Sequence, residues 1–137
     1  MSEIILKQLA PRGHLRAAIN MSNFLLVTGK EANGDPQGVS PDMAKALAHE
    51  LGVDIELISF SRPGELADAV FEDKWDIGNI ANEPERAKSI NFSFPYTLIE
   101  STFLVRKHLN FNTIKDIDNE GIRIAVAERS AYDLWLT

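Results

Sequence analysis

The stretch Trp75–Arg106, WDIGNIANEPERAKSINFSFPYTLIESTFLVR, holds the residues best suited to gripping a small anion. A short strand over 76–80 is expected to run into Ala81, Asn82 and Glu83, and Pro84 then opens a helix with Arg86 in its first turn. Proline is tolerated at a first helical position because an amide there has no intrahelical partner anyway. The free amides of Glu85 and Arg86, with the Arg86 guanidinium, can then point at an anion beyond the strand end. A planar fork of donors fits a carboxylate or phosphate better than a lysine ammonium does. The same residues also allow a plainer arrangement, Arg86 paired with Glu83 or Asp42 on a solvated surface, and residue types alone leave both open.

Other chemistry fits less well. His14, His49 and His108 are scattered, without the spacing of a metal site, and no metal or other cofactor is expected. Gly29, Gly34 and Gly38 share one loop, which turn formation explains. Ser40 and Ser130 read as helix caps rather than nucleophiles, since no suitable base accompanies them. Asp76 reads as structural, and Trp75, Phe92 and Phe94 as core by default. Phe24 and Phe60 are stronger pocket candidates because both stand at strand exits.

The elements that position these residues follow an α/β pattern within 137 residues, a length that suits one ordinary domain. Residues 1–13 form a helical arm, with Ile4, Ile5 and Leu9 expected against the body. Leu15–Ile19 is apolar enough for a strand buried on both faces, and it ends at Asn20, Met21, Ser22 and Asn23, before the exposed pair Phe24 and Leu25. A Gly/Asn/Asp/Pro-rich loop or hairpin over 28–39 precedes a helix capped by Ser40, with Pro41 at its first position. Met43, Ala44, Leu47, Ala48 and Leu51 form its buried stripe, and Gly52 ends it. Val53–Ile58 alternates as a strand, and a helix opened by Pro63 turns Leu66, Val70 and Phe71 inward. Such crossovers bring the exits 20–24, 59–60 and 79–82 to one sheet edge, where α/β sheets bind their ligands. Strands are also expected over 98–105 and 122–127, short helices over 114–119 and from Ser130 onward. Tyr132 and Trp135, three apart on that last helix, offer a docking face through which two chains could dimerise.

The formal net charge is -6 and no basic cluster occurs, which argues against nucleic acid as a partner. Cysteine is absent, so neither thiolate metal sites nor disulfides are available. The start, MSEIILKQLAPRG, lacks the pattern of a secretory signal, and the chain read literally stays in the cytoplasm.

Four stretches, GHLRAAINMSN, GVSPDMAKALAHELGVDIELISF, KWDIGNIANEPERAKSINFSFPY and GIRIAVAERSAYDLWL, occur in an order and spacing that resembles the bacterial extracellular solute-binding proteins of family 3, the polar amino-acid receptors of ABC transporters. The most specific part is Pro-Glu-Arg-Ala-Lys followed by Ile-Asn-Phe-Ser and Pro-Tyr. The resemblance implies a type II periplasmic-binding-protein-like lobe, a mixed sheet flanked by helices, in a chain that ends early in a second lobe. It implies an arm over 1–13, a first lobe over 14–105, a hinge or connector over 106–120 and the start of an incomplete second lobe over 121–137.

By the same resemblance Arg86 binds a ligand carboxylate, Asn23, Phe24 and Phe60 shape the pocket, and Asn79, Ile80, Ala81 and Asn82 lend groups from the strand exit. Ser130, with Arg129 and Ala131, closes from the other side. Three departures stand out. The exit before Pro84 lacks the family's threonine, leaving Asn79 or Asn82 to replace it; a second-lobe carboxylate for a ligand amino group would lie beyond residue 137; and the family's signal peptide has no counterpart.

The implied function is non-enzymatic binding of a polar amino acid or related carboxylate for ABC-type uptake or sensing, with an ABC permease as partner and the periplasm as compartment. Two alternatives stay open: a dehydratase of cyclic carboxylic acids on the same scaffold, with Glu83 or Glu100 as its only nearby carboxylates, or a truncated chain without a ligand.

Overall fold

The computed structural model describes residues 3–137. Helix α1 (Glu3–Leu9) leads into strand β1 (His14–Asn20), followed by a small antiparallel hairpin of β2 (Gly29–Lys30) and β3 (Pro36–Gln37). Helix α2 (Val39–Leu51), strand β4 (Asp54–Phe60), helix α3 (Pro63–Asp68), a 3-10 turn at Ala69–Glu72 and strand β5 (Ile77–Asn79) complete the α/β body. Three strands form a parallel sheet in the order β4-β1-β5. Its register sets Asn20 opposite Phe60 and Ile19 opposite Asn79, so the three strand exits do meet on one edge.

Strand β1 is central, and its residues Leu15 to Ile19 are all buried, as a strand covered on both faces must be. Successive side chains alternate between the faces. Leu15 packs with Ala48 and Leu51 of α2, joined by Leu6 and Leu9 of α1. Ala18, on the other face, packs with Leu66, Ala69 and Trp75. The arm thus rests on Leu6 and Leu9, whereas Ile4 and Ile5, expected inward, are exposed.

Arg16 shares the Ala18 face and is buried, its charge answered by Asp76 and Asp73. Its side chain donates to both Asp76 carboxylate oxygens, at 3.1 and 2.7 Å, while its main-chain amide donates to Asp76 Oδ2 at 2.9 Å. Asp76 returns its own amide to the Arg16 carbonyl at 2.9 Å. The expectation that Asp76 is structural is met, and this clamp fixes the entry of β5 beside β1.

Helix α2 starts differently from the expectation. Gly38, not Ser40, is the cap residue, with φ of 133°, and a Cβ there would lie 2.6 Å from the Leu26 carbonyl oxygen. Only glycine accepts that backbone conformation. Ser40 instead lies buried in the first turn and donates its amide to the Leu26 carbonyl at 2.9 Å. The helix thus starts two residues earlier than expected; Ser40, Pro41, Ala44, Ala48 and Leu51 are buried, while Met43 is exposed. Gly52, with φ of 70°, ends the helix as expected.

Pro63 begins α3 and Leu66 is fully buried, but Phe71 is exposed. The chain tightens to 3-10 geometry from Ala69, and three residues per turn carry Phe71 off the buried face. Phe94 is also exposed rather than core. The segments 98–105 and 122–127, expected as strands, carry no ladder. A strand needs a neighbour to take its amides and carbonyls, and among the described residues neither segment has one. The helix expected over 114–119 is a 3-10 turn, Ile114–Asp116, closed by reciprocal bonds between Thr113 and Asp116. Helix α4 (Ala131–Leu136) is capped by Ser130 as expected, and Tyr132 and Trp135 are exposed on it. No helix among the described residues is long and apolar enough to cross a membrane.

Candidate functional site

The site is built where β5 ends. Beyond Asn79 the chain passes Ile80, Ala81 and Asn82 and folds into a short 3-10 turn, Arg86–Lys88, in place of the expected helix. Glu83 explains why. Its buried carboxylate accepts the amides of Glu85 (2.9 Å) and Arg86 (3.3 Å), which occupies the donors expected to face a ligand anion. The anion cradle read from the sequence is therefore filled from within, and only the guanidinium is left for an external charge.

Arg86 is 5 % exposed, which overturns the picture of a solvated surface pair. Its Nη1 donates to the Ala81 carbonyl at 3.2 Å and its Nη2 to the Arg129 carbonyl at 3.0 Å. Nε is buried and has no hydrogen-bond partner among the described residues. Burial pulls the Arg86 pKa below its ordinary value, against the opposing pull of the nearby Glu83 charge. A buried guanidinium held only by neutral carbonyls is an expensive arrangement, since a buried charge ordinarily needs both pairing and full hydrogen bonding. Chemically it is a cationic donor with hydrogen-bonding capacity left over among the described residues.

Arg129 meets Arg86 from the segment before α4. Its guanidinium grips Asp68 of α3 through two bonds of 2.6 and 2.5 Å. This holds the Asp68 carboxyl below its usual range and raises Arg129, each chiefly through that hydrogen bond. Ser130 is buried beside it, its hydroxyl oxygen accepting the Asp133 amide at 3.2 Å. Gly64, Ala67, Asp68, Arg86, Arg129 and Leu134 line a cavity of about 170 Å³.

The remaining sequence candidates are distributed along the same edge with other tasks. Asn79 donates its side-chain amide to the Ser40 carbonyl at 2.6 Å, tying β5 to the first turn of α2. Asn23 accepts the Leu25 amide at 3.3 Å within the turn after β1. Phe24 projects into solvent, 79 % exposed, whereas Phe60 and Ile80 are half-buried against the Ala18–Leu66 core. Ala81 contributes the carbonyl described above, and Asn82 is exposed. Sequence reasoning missed Asp68 entirely, since a carboxylate on a helix surface carries no local signal. Among the described residues no three His, Cys, Asp or Glu side chains come together as a metal site.

Residues 16–130 match the profile of the bacterial extracellular solute-binding proteins, family 3. Among solved structures, an ancestral cationic amino acid solute-binding protein is similar at 34% identity and a TM-score of 0.57, over 68% of this chain and 41% of that one. An ancestral cyclohexadienyl dehydratase is similar at 31% identity and 0.57, over 67% of this chain and 38% of that one. The arginine-bound domain 1 of ArgBP from T. maritima is similar at 26% identity and 0.57, over 67% of this chain and 71% of that domain. A membrane-bound lytic murein transglycosylase F of Actinobacillus succinogenes is 32% identical over 79 residues, 56% of this chain and 16% of that protein. The chain thus spans less than half the length of most relatives it matches. With its parallel sheet, antiparallel hairpin and flanking helices, and with more than half its length matched, the chain belongs to the bacterial extracellular solute-binding proteins, family 3, and folds as a type II periplasmic-binding-protein-like lobe.

Proposed function

We propose that this lobe binds the carboxylate of a small amino acid at Arg86, without turnover, for uptake through an ABC permease or for sensing, on the outer side of the cell membrane. The observation that carries the reading is the buried Arg86 guanidinium at the exit of β5, with a free Nε and only carbonyl partners. An incoming carboxylate would replace a partial charge by a full one and accept two parallel bonds, the stronger arrangement for arginine. The relatives support the ligand class: one is described as binding cationic amino acids, and another holds arginine on an isolated first domain. L-arginine is accordingly the first ligand to test, and a single lobe is a reasonable form in which to test it.

The experiment is a thermal-shift series with L-arginine, other amino acids and small carboxylates, against an Arg86→Met control that keeps volume but removes the donors. A ligand at one hundred times its Kd adds about 2.7 kcal/mol of apparent stability, which is read easily. A shift in the original chain that is absent from the control supports the reading. Equal shifts in both, or none in either, defeat it and favour a chain without a ligand at this site.

A second reading is a dehydratase, favoured by the ancestral cyclohexadienyl dehydratase at the same TM-score. It needs a general acid in the cleft, and Glu83 is the buried carboxylate nearest Arg86 in sequence. Its oxygens already accept two amides of their own turn. Loss of water from a cyclic hydroxy acid, followed by absorbance of the product and abolished by Glu83→Gln, would establish this reading over the first.

A further inference from the structure

We propose that the turn Glu128–Ser130 is a removable plug on Arg86, latched by the Arg129–Asp68 ion pair. The inference rests on the reading of Arg86 as a carboxylate anchor and adds what controls access to it.

Four observations converge on this turn. The Arg129 carbonyl accepts from Arg86 Nη2 at 3.0 Å, so a carboxylate seeking that donor must take the carbonyl's place. The Arg129 side chain turns the other way and fastens both nitrogens on Asp68, at 2.6 and 2.5 Å. Gly64, in the first turn of α3, leaves room for that path: a Cβ there would lie 3.0 Å from Arg129 Cβ. Finally, Arg129 has φ of 56°, in the left-handed region that non-glycine residues rarely adopt. A strained residue persists when its surroundings over-determine it, and such strain gathers at switches.

The balance suits a plug rather than a permanent wall. The Arg129 and Asp68 side chains are half-exposed, so water and salt weaken their attraction. The carbonyl that covers Arg86 is a weaker acceptor than a carboxylate. The latch closes the site when it is empty and yields to an anion that pairs with Arg86 fully. A binding-competent state populated only in part lowers apparent affinity by that fraction, so the latch sets how tightly the site binds.

The test reads Arg86 directly and needs no ligand. The whole chain is treated with phenylglyoxal, and modification of each arginine is followed by mass spectrometry. Exposed Arg106 marks free reactivity, and buried Arg16 reports any general loosening. In the original sequence Arg86 should react as slowly as Arg16. Asp68→Asn and Arg129→Ala remove the latch by opposite partners, and Gly64→Ala pushes the turn away without touching a charge. Each should speed modification of Arg86 by about two- to fivefold, the range set by losing one exposed ion pair, with Arg16 unchanged. Unchanged Arg86 rates, or Arg16 rising in step, would overturn the plug. The second arm compares affinity for L-arginine. Tighter binding by Asp68→Asn supports a plug, and weaker binding overturns it by making the pair a clamp on bound ligand. Should no amino acid bind, the proposed function fails while the labelling result still decides whether the turn gates Arg86.

Discussion

Replacing Arg16 by Met tests whether the clamp between β1 and β5 holds the sheet that carries the site. The change keeps most of the side-chain volume and removes every donor of the guanidinium. Asp76, whose side chain is 5% exposed, then keeps the Arg16 main-chain amide at 2.9 Å and loses its two charged bonds at 3.1 and 2.7 Å. Breaking a buried pair from one side costs roughly 3–5 kcal/mol because the remaining charge stays buried. Arg12, with Nη1 3.9 Å from Asp76 Oδ1, can move in and offset part of this, so the lower end, about 3 kcal/mol, is expected. Against a total stability of about 5–15 kcal/mol this is a large fraction. Urea unfolding followed by circular dichroism would show a lower midpoint with an unchanged slope. Asp76→Leu in the Arg16→Met background should cost less than the two single changes added together, since no buried charge is then left. A loss under 1 kcal/mol for Arg16→Met, or strict additivity in the double variant, would refute the clamp.

Gly38→Ala should destabilise by about 1–3 kcal/mol through backbone strain alone; the approach of 2.6 Å to the Leu26 carbonyl adds to it, and urea midpoints measure the sum. Arg86→Met should cost less ligand-free stability than Arg16→Met does, because Arg86 has no carboxylate in hydrogen-bond contact and Glu83 keeps its two amide donors when the guanidinium goes; calorimetry of the two variants without ligand decides. The Asp68 carboxyl titrates below its ordinary value of 3.8 in the folded chain, so its pairing with Arg129 stabilises above that value and is lost as pH falls through the lower, folded one. The difference in urea midpoint between the original chain and Asp68→Asn should accordingly be constant above about pH 5 and disappear on further acidification; a difference that persists at the lowest pH would contradict the ion pair.

The body of the fold was legible because its signals are local. Pro63, Gly52 and the apolar run Leu15–Ile19 each mark a boundary or a buried strand by their own chemistry. Strand exits converge because parallel crossovers bring them to one side, and this alone puts residues 79–81 and Phe60 on one edge. Misreadings arose where one residue had two plausible tasks. Ser40 looks like a cap, yet Gly38 alone tolerates the backbone required there. Glu83 looks like a surface partner for Arg86, yet its oxygens are close enough to take the amides of the following turn. The strands expected over 98–105 and 122–127 have the right residues, but strand formation depends on a neighbour, which a local pattern does not contain.

Arg16 and Arg86 are buried in opposite electrostatic surroundings. One lies within β1 beside the entry of β5 and the other in the turn beyond the exit of β5. Arg16 is answered by two carboxylates, and its pKa is raised chiefly by its hydrogen bond to Asp76. Arg86 is answered by two carbonyls and a vacant Nε, and its pKa is lowered by burial. Selection for stability alone would favour the first arrangement at both positions or an apolar residue at the second. On the proposed reading, a buried guanidinium with an unused Nε at the edge where α/β sheets take their ligands trades stability for a carboxylate contact, which the Arg129 carbonyl replaces only in part.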